Sequence, residues 1–161
     1  RDGKQIYQNL GLNDAVIREG PISHVIHLSI ASDGRHLANI DGDGVIIATP
    51  TGSTAYSLSA GGPVVEPVAD TMIVCPICTH NMRFSSYVLS PNHTLSVELV
   101  RNGRKPVYLC VDESRAFSLK QDDQVLIRKS RYATRLVRLS EKSFCEVFAK
   151  KMLSGGQEDE K

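Results

Sequence analysis

The sequence predicts a mainly β protein, an antiparallel sandwich-like fold that also carries two short helices. Two observations predict it. Apolar and polar residues alternate with period two along most of the chain, the pattern of strands with one buried face. Turn signals separate these runs at intervals of about ten residues, the spacing expected of sandwiches and barrels. At 161 residues the chain can bury a core as one domain, expected over residues 1–153.

Val25-Ile26-His27-Leu28-Ser29-Ile30 reads as a strand. Ser32-Asp33-Gly34-Arg35 follows as a hairpin turn, because Asp-Gly suits the positive φ angles of such turns. Residues 37–40 and 45–48 are the next short strands. A first helix is expected from near Ser53 to Ala60, stopped by Gly61-Gly62-Pro63. Met72-Ile73-Val74 is a further strand, with Pro76 suited to its exit. Thr94-Leu95-Ser96-Val97-Glu98-Leu99-Val100 alternates cleanly, and Arg101-Asn102-Gly103-Arg104 turns back into Val107-Tyr108-Leu109-Cys110-Val111. That Asn-Gly pair predicts the best hairpin of the chain. Residues 116–119, 125–128 and 135–139 complete the strands. A second helix is expected over 142–153, with Phe144, Val147, Phe148 and Leu153 on one face and Ser140 as its cap. Residues 154–161 are glycine-rich and charged, and are expected to be a disordered tail.

The formal net charge is +1, which gives no whole-protein basic field for nucleic acid. Charge is unevenly spread. Residues 36–82 contain no Lys or Arg, whereas 101–138 carry ten against four acids; solvated strand faces account for that basic stretch. No apolar run reaches the ~18 residues of a membrane span and no secretory signal opens the chain, so a cytoplasmic location is expected. Arg1-Asp2-Gly3-Lys4 opens without a methionine, so a piece of a longer protein is expected.

Four cysteines, Cys75, Cys78, Cys110 and Cys145, lack the density of a disulfide scaffold. Cys75-Pro76-Ile77-Cys78 has CxxC spacing, but a redox pair wants a helix beginning at the first cysteine, and zinc wants two further ligands. Strand-end cysteines are the simpler reading.

The informative stretch is Asp41-Gly42-Asp43-Gly44-Val45-Ile46-Ile47-Ala48-Thr49-Pro50-Thr51-Gly52-Ser53-Thr54-Ala55-Tyr56-Ser57-Leu58-Ser59. A strand leading into a glycine-hydroxyl turn and a short helix can build a nucleotide site. Gly52 permits a turn, Thr51 or Ser53 can cap the helix, hydroxyls can read a base or ribose, and Tyr56 can stack on a flat ring. Without nearby Lys or Arg the segment suits base and sugar better than triphosphate. Asp41 and Asp43 could bond a ribose diol. A plain hairpin turn remains an alternative; a calcium loop does not, since position twelve from Asp41 is Gly52 rather than Glu. Walker A, GxGxxG and GxSxG motifs are absent.

Gly42-Asp43-Gly44 followed by the fifteen residues Thr49 to Pro63 resembles the signature of NAD kinases. Leu12-Asn13-Asp14-Ala15-Val16 looks like that family's Asn-Glu/Asp motif, and Pro76-Ile77-Cys78-Thr79-His80 looks like its Pro-Ile-Cys-Pro-His segment. The stretch from Phe144 to Leu153 is similar to its C-terminal helix. The resemblance implies a C-terminal NAD-binding domain that presents the 2′-hydroxyl of the adenosine ribose for phosphorylation to NADP. It also implies ATP or polyphosphate and a divalent metal such as Mg for the whole enzyme, and a homodimer or tetramer with no nucleic-acid or membrane partner.

By the same resemblance Asn13 and Asp14 would contact the adenosine, Asp14 gripping a ribose hydroxyl. Thr51, Thr54, Ala55 and Ser59 would line the adenine pocket, with Ser57 and Leu58 in the same substrate-binding stretch. Asp43, Tyr56 and Cys78 would approach the nicotinamide-ribose end or a neighbouring subunit's ligand. Asp112 matches a family aspartate near the site, and His80 would be adjacent. The family's proposed catalytic aspartate, in a Gly-Gly-Asp-Gly-Thr motif on an N-terminal α/β domain, has no match here, since Asp41-Gly42-Asp43-Gly44 is followed by Val45. Departures also occur: Asp112-Glu113-Ser114 for Asp-Gly-Gln, Ser85-Ser86 for Arg-Pro, and Glu66 for a frequent histidine. A non-catalytic nucleotide-binding or sensor domain is the alternative. A lipid kinase-like reading is disfavoured by the polar 49–59 segment.

Overall fold

The structure, a computed structural model, describes residues 1–20, 24–80, 85–103, 105–137, 139 and 141–153. The expected disordered tail, Ser140 and the Leu153 side chain lie outside the described residues. Two units are distinguished, residues 1–131 and 132–161.

The described residues of the first unit form ten strands: β1 (Asp14–Glu19), β2 (Ile26–Ser32), β3 (Arg35–Gly42), β4 (Gly44–Ala48), β5 (Met72–Ile77), β6 (Tyr87–Leu89), β7 (Leu95–Arg101), β8 (Val107–Val111), β9 (Phe117–Leu119) and β10 (Gln124–Ile127). They form a six-stranded sheet in the order β6-β5-β4-β1-β8-β9 and a four-stranded sheet in the order β10-β7-β2-β3. Every pairing is antiparallel. Ile17, Val45, Ile47, Val74, Val107 and Leu109 of the first sheet share a core with Ile26, Leu28, Ile30, Ile40, Leu95, Val97 and Leu99 of the second. The predicted antiparallel sandwich is therefore present.

A second apolar cluster occupies the other face of the large sheet, where Val16, Ile46, Ala48, Ile73, Cys75 and Ile77 are covered by Ala60 and Val65. Strands β4 and β5 are buried on both faces, which is why they read as unbroken apolar runs rather than alternating ones. Pro76 lies inside β5 opposite Val45, not at its exit. It falls beyond the three residues of β5 that pair with β6, a position where a missing ladder donor is tolerated.

The β2–β3 hairpin forms as expected, with Asp33 at φ 49° and Gly34 at φ 76°. The expected β7–β8 hairpin does not. β7 pairs with β2 and β10, whereas β8 pairs with β1 and β9. The Asn102-Gly103 turn is real, since Lys105 N donates to Asn102 O at 3.0 Å, but it carries the chain from one sheet to the other. β3 and β4 likewise belong to different sheets, so Asp41–Gly44 is a corner between sheets and not a hairpin turn. Strands β1 and β6 were not among the predicted strands.

The expected first helix is broken into a 3-10 turn, Thr51–Thr54, and a single α-turn, α1 (Tyr56–Ser59). Ala55 between them lies at φ −95°, ψ −131°, outside the helical region, and no side chain caps either piece. Ser53 cannot cap because its hydroxyl is engaged with the backbone of Val65, donating at 3.1 Å and accepting at 3.0 Å. The glycine stop holds. Gly61 takes φ 84° and donates to Leu58 O, while Gly62 donates to Ser57 O, the paired bonds of a Schellman ending.

In the second unit α2 spans Phe144–Leu153, with Phe144 stacked on Phe148 at a centroid distance of 5.8 Å. Ser143 supplies the cap. Its Oγ accepts from Glu146 N at 3.2 Å, and the Glu146 carboxylate accepts from Ser143 N at 2.7 Å and Oγ at 2.8 Å, a capping box. The described residues of the expected strand 135–139 carry no strand. Leu136, Val137 and Leu139 are exposed, with no ladder partner among the described residues. No helix among those residues is long and apolar enough to cross a membrane.

Candidate functional site

Strand β1 organises the site. It lies between β4 and β8, with Asp14 opposite Ala48 and Ala15 opposite Val111 at its start, and Arg18 opposite Gly44 near its end. Loops leaving the three strands therefore meet at each end of β1.

At its start, residues 12–14 are clamped from two sides. The Asp112 carboxylate accepts backbone N–H groups from Leu12, from Asn13 at 2.8 Å and from Asp14 at 3.0 Å. Asp112 adopts φ 45° and Glu113 φ 57°, so a tight left-handed turn after β8 aims that carboxylate back. From the other side, Thr49 N donates to Asn13 O at 2.9 Å and the Thr49 hydroxyl to Leu12 O at 2.6 Å. Thr49 Oγ1 then accepts from Gly52 N at 3.1 Å. Gly52 packs so closely that an added Cβ would lie 2.0 Å from Asn13 O.

The two carboxyls differ electrostatically. Burial, followed by the charges of Asp112 and Glu113, pushes the Asp14 pKa above the ordinary carboxyl value. Burial also pushes Asp112 upward, but the three N–H donors together outweigh it and hold Asp112 below the ordinary value.

The hydroxyls of the 49–59 stretch divide by burial. Thr54, Tyr56 and Ser59 are exposed, while Thr51, Ala55 and Leu58 are half-buried. Ser57 is wholly buried, with an Oγ that has no hydrogen-bond partner, and it packs against Gly62 and Cys75. Ser53 is wholly buried too. Neither can present a hydroxyl at the surface.

At the far end of β1, Glu19 N donates to Asp43 O at 3.0 Å and Asp43 N to Ile77 O at 3.0 Å. His80 N donates to Asp41 O at 2.8 Å and the Thr79 hydroxyl to the same oxygen at 3.2 Å. Asp43, Cys78 and His80 are thus brought together, His80 and Cys78 exposed and Asp43 half-buried. The Asp43 carboxylate, as hydrogen-bond acceptor and then as a charge, pushes the Cys78 thiol pKa up, with burial and Glu19 adding to it. All four cysteines are free thiols. Five residue steps separate Asp14 and Glu19 at the two ends of β1, about 17 Å at the usual strand rise. The residues named from the sequence therefore fall into two groups, one at each end of the central strand.

Sequence reasoning missed Thr49 and Gly52 as the outer clamp and treated Asp112 as a neighbour of the site rather than its anchor. The signal for the anchor was slight: an acid directly after an alternating strand, followed by two polar residues.

Fold and loops together define a two-sheet antiparallel domain that ties acidic and glycine-hydroxyl loops to the ends of one central strand. The chain belongs to the family described as the ATP-NAD kinase C-terminal domain, whose model matches residues 12–139. It is 39% identical over 158 residues to an NAD kinase of Natranaerobius thermophilus, covering 98% of this chain and 54% of that protein. An NAD kinase of Symbiobacterium thermophilum is 43% identical over 152 residues, covering 94% and 53%. Among solved structures, an NAD kinase from Archaeoglobus fulgidus in complex with ATP aligns with TM-score 0.67 at 30% identity, covering 76% of this chain and 46% of that one. Yeast NADH kinase complexed with NADH aligns with TM-score 0.68 at 33% identity, covering 76% and 37%. The chain thus spans about half the length of the relatives it matches.

Proposed function

We propose that this chain is the substrate-binding part of an NAD kinase, holding the dinucleotide so that the 2′-hydroxyl of its adenosine ribose can be phosphorylated. The clamp on residues 12–14 carries the reading. It fixes Asn13 and Asp14 by their backbones and leaves the Asp14 carboxylate without a hydrogen-bond partner among the described residues, ready to accept from a ribose diol. Thr51, Thr54, Ala55 and Ser59 line the adenine side, and Leu58 supplies apolar contact. Ser57 supports the turn from within. Asp112 acts through the backbone of residues 12–14 and is a positioning residue.

Asp43 and Cys78, at the opposite end of β1, serve the nicotinamide-ribose end or a ligand bound to a neighbouring subunit, with His80 beside them, and the exposed Tyr56 approaches the same end of the ligand. Among the described residues no group of three or more His, Cys, Asp or Glu side chains could hold a metal ion. The chemistry of the chain is orientation, a large share of phosphoryl transfer.

Two results test this. The chain alone, incubated with NAD, ATP and magnesium, should form no NADP, because the catalytic aspartate is assigned to a separate part of the enzyme; NADP formation would refute that division. In the full-length enzyme Asp14→Ala should lower kcat/KM for NAD by roughly 10- to 100-fold, the loss of charge-assisted hydrogen bonds. Because the Asp14 pKa is raised, wild-type NAD affinity should fall at a higher pH on acidification than an ordinary carboxylate would give, and the variant should lack that step. An unchanged kcat/KM in Asp14→Ala would remove Asp14 from the site.

A further inference from the structure

Glu19 closes β1 with its side chain 4% exposed. Its Oε1 lies 3.8 Å from the exposed Arg18 guanidinium, and its Oε2 has no hydrogen-bond partner among the described residues. A buried carboxylate compensated only by one long contact to an exposed guanidinium is costly, so a further positive charge beside it would be stabilising.

Register shows where that charge would sit. Arg18, Gly44 and Ile77 share one rung of the large sheet. The next rung brings together Glu19, Asp43 and Cys78, joined by the bonds from Glu19 N to Asp43 O and from Asp43 N to Ile77 O. By strand alternation Glu19 continues the inward face of Ala15 and Ile17, and Asp43 that of Val45 and Ile47. Two carboxylates, one buried with its Oε2 lacking a hydrogen bond among the described residues and one half-buried, thus lie side by side at the mouth formed with the exposed Cys78. Glu19 is also close enough to add to the rise in the Cys78 pKa.

We propose that Glu19, acting through Asp43, is a specificity-determining residue that favours a dinucleotide carrying the cationic, oxidised nicotinamide ring over its neutral, reduced form. The inference rests on the reading that Asp43 meets the nicotinamide end. An oxidised ring brings one positive charge to an acidic rung whose neighbouring cation among the described residues is the exposed Arg18 guanidinium at 3.8 Å, whereas a reduced ring brings none. Shape and hydrogen-bonding groups are nearly the same in the two ligands, so charge is the property that Glu19 can sense.

The test compares Glu19→Gln with wild type in the full-length enzyme, reading kcat/KM separately for NAD and NADH. Removal of one negative charge a few ångströms from the ring should lower kcat/KM for NAD by about five- to ten-fold. The value for NADH should stay within a factor of about two, so the preference collapses. Glu19→Gln also relieves a weakly compensated buried charge and should unfold at a higher temperature than wild type, which separates the charge effect from damage to the fold. Glu19→Asp should retain most of the wild-type preference. An unchanged NAD/NADH ratio, or an equal fall for both ligands, overturns the role of Glu19 and leaves the site reading intact. Wild-type enzyme that phosphorylates neither ligand overturns the site reading and this inference with it.

Discussion

Gly52→Ala should destabilise the domain by about 3 kcal/mol, the upper part of the overpacking range, and remove dinucleotide use with it. The new Cβ would lie 2.0 Å from Asn13 O and 2.5 Å from Asn13 C, and a backbone segment cannot swing aside as a side-chain tip can. Asn13 is also held from behind, because its N–H is bonded to Asp112. Any retreat must stretch the Thr49–Asn13 bond and the Asp112 bonds together, so stability and site geometry fail in one step. Urea unfolding and kcat/KM for NAD, measured on the same full-length variant, check both halves. A Gly52→Ala protein with the wild-type midpoint would sink the idea of a closed clamp.

Asp112→Ala should cost roughly 2 kcal/mol, since it strips three backbone donors of a charged acceptor although water can partly replace it. The cost depends on pH. A carboxyl held below its ordinary pKa in the folded state stabilises the fold fully above the unfolded value, and that contribution is lost as pH falls through the folded value. The gap between wild type and Asp112→Ala should therefore be constant near neutrality and close as acid protonates Asp112. Asp112→Asn should fall between the two, since its amide oxygen accepts but its NH2 group does not. Unfolding free energies at several pH values decide the matter, and a gap that stays open in acid would deny Asp112 its charged role. In the variant the KM for NAD should rise more than kcat falls, because residues 12–14 lose their fixed position.

The sandwich was legible because its core is built from local alternation. Asp33-Gly34 named its own hairpin, as both residues adopt the positive φ that Asp-Gly tolerates. Asn102-Gly103 carried an equally clear turn signal and misled, since a turn says nothing about which sheet the next strand will join. That choice is made by β1, which recruits β8 to its free edge from far along the chain. β1 itself was hidden: it opens on Asp14 and closes on Glu19, and only Val16 and Ile17 at its centre are strongly apolar. Within the site, residue types announced a nucleotide-like loop, but composition could not separate hydroxyls that face outward from those that brace the fold. Thr49 and Ser53 spend their hydroxyls on Leu12 and Val65, which only the folded backbone reveals.

The chain changes sheets at β1–β2, β3–β4, β6–β7, β7–β8 and β9–β10. Stitching of that kind governs how the molecule assembles. Neither sheet can be finished while the other is open, so the two should melt as one cooperative unit. Folding should be slow, in the range of milliseconds to seconds found for domains dominated by distant pairings. On the ribosome β1 emerges well before its partner β8, which is made only after six other strands have appeared. Through that interval one flank of the central strand stays open to wrong partners, and the nascent chain depends on protection until Val107–Val111 arrives.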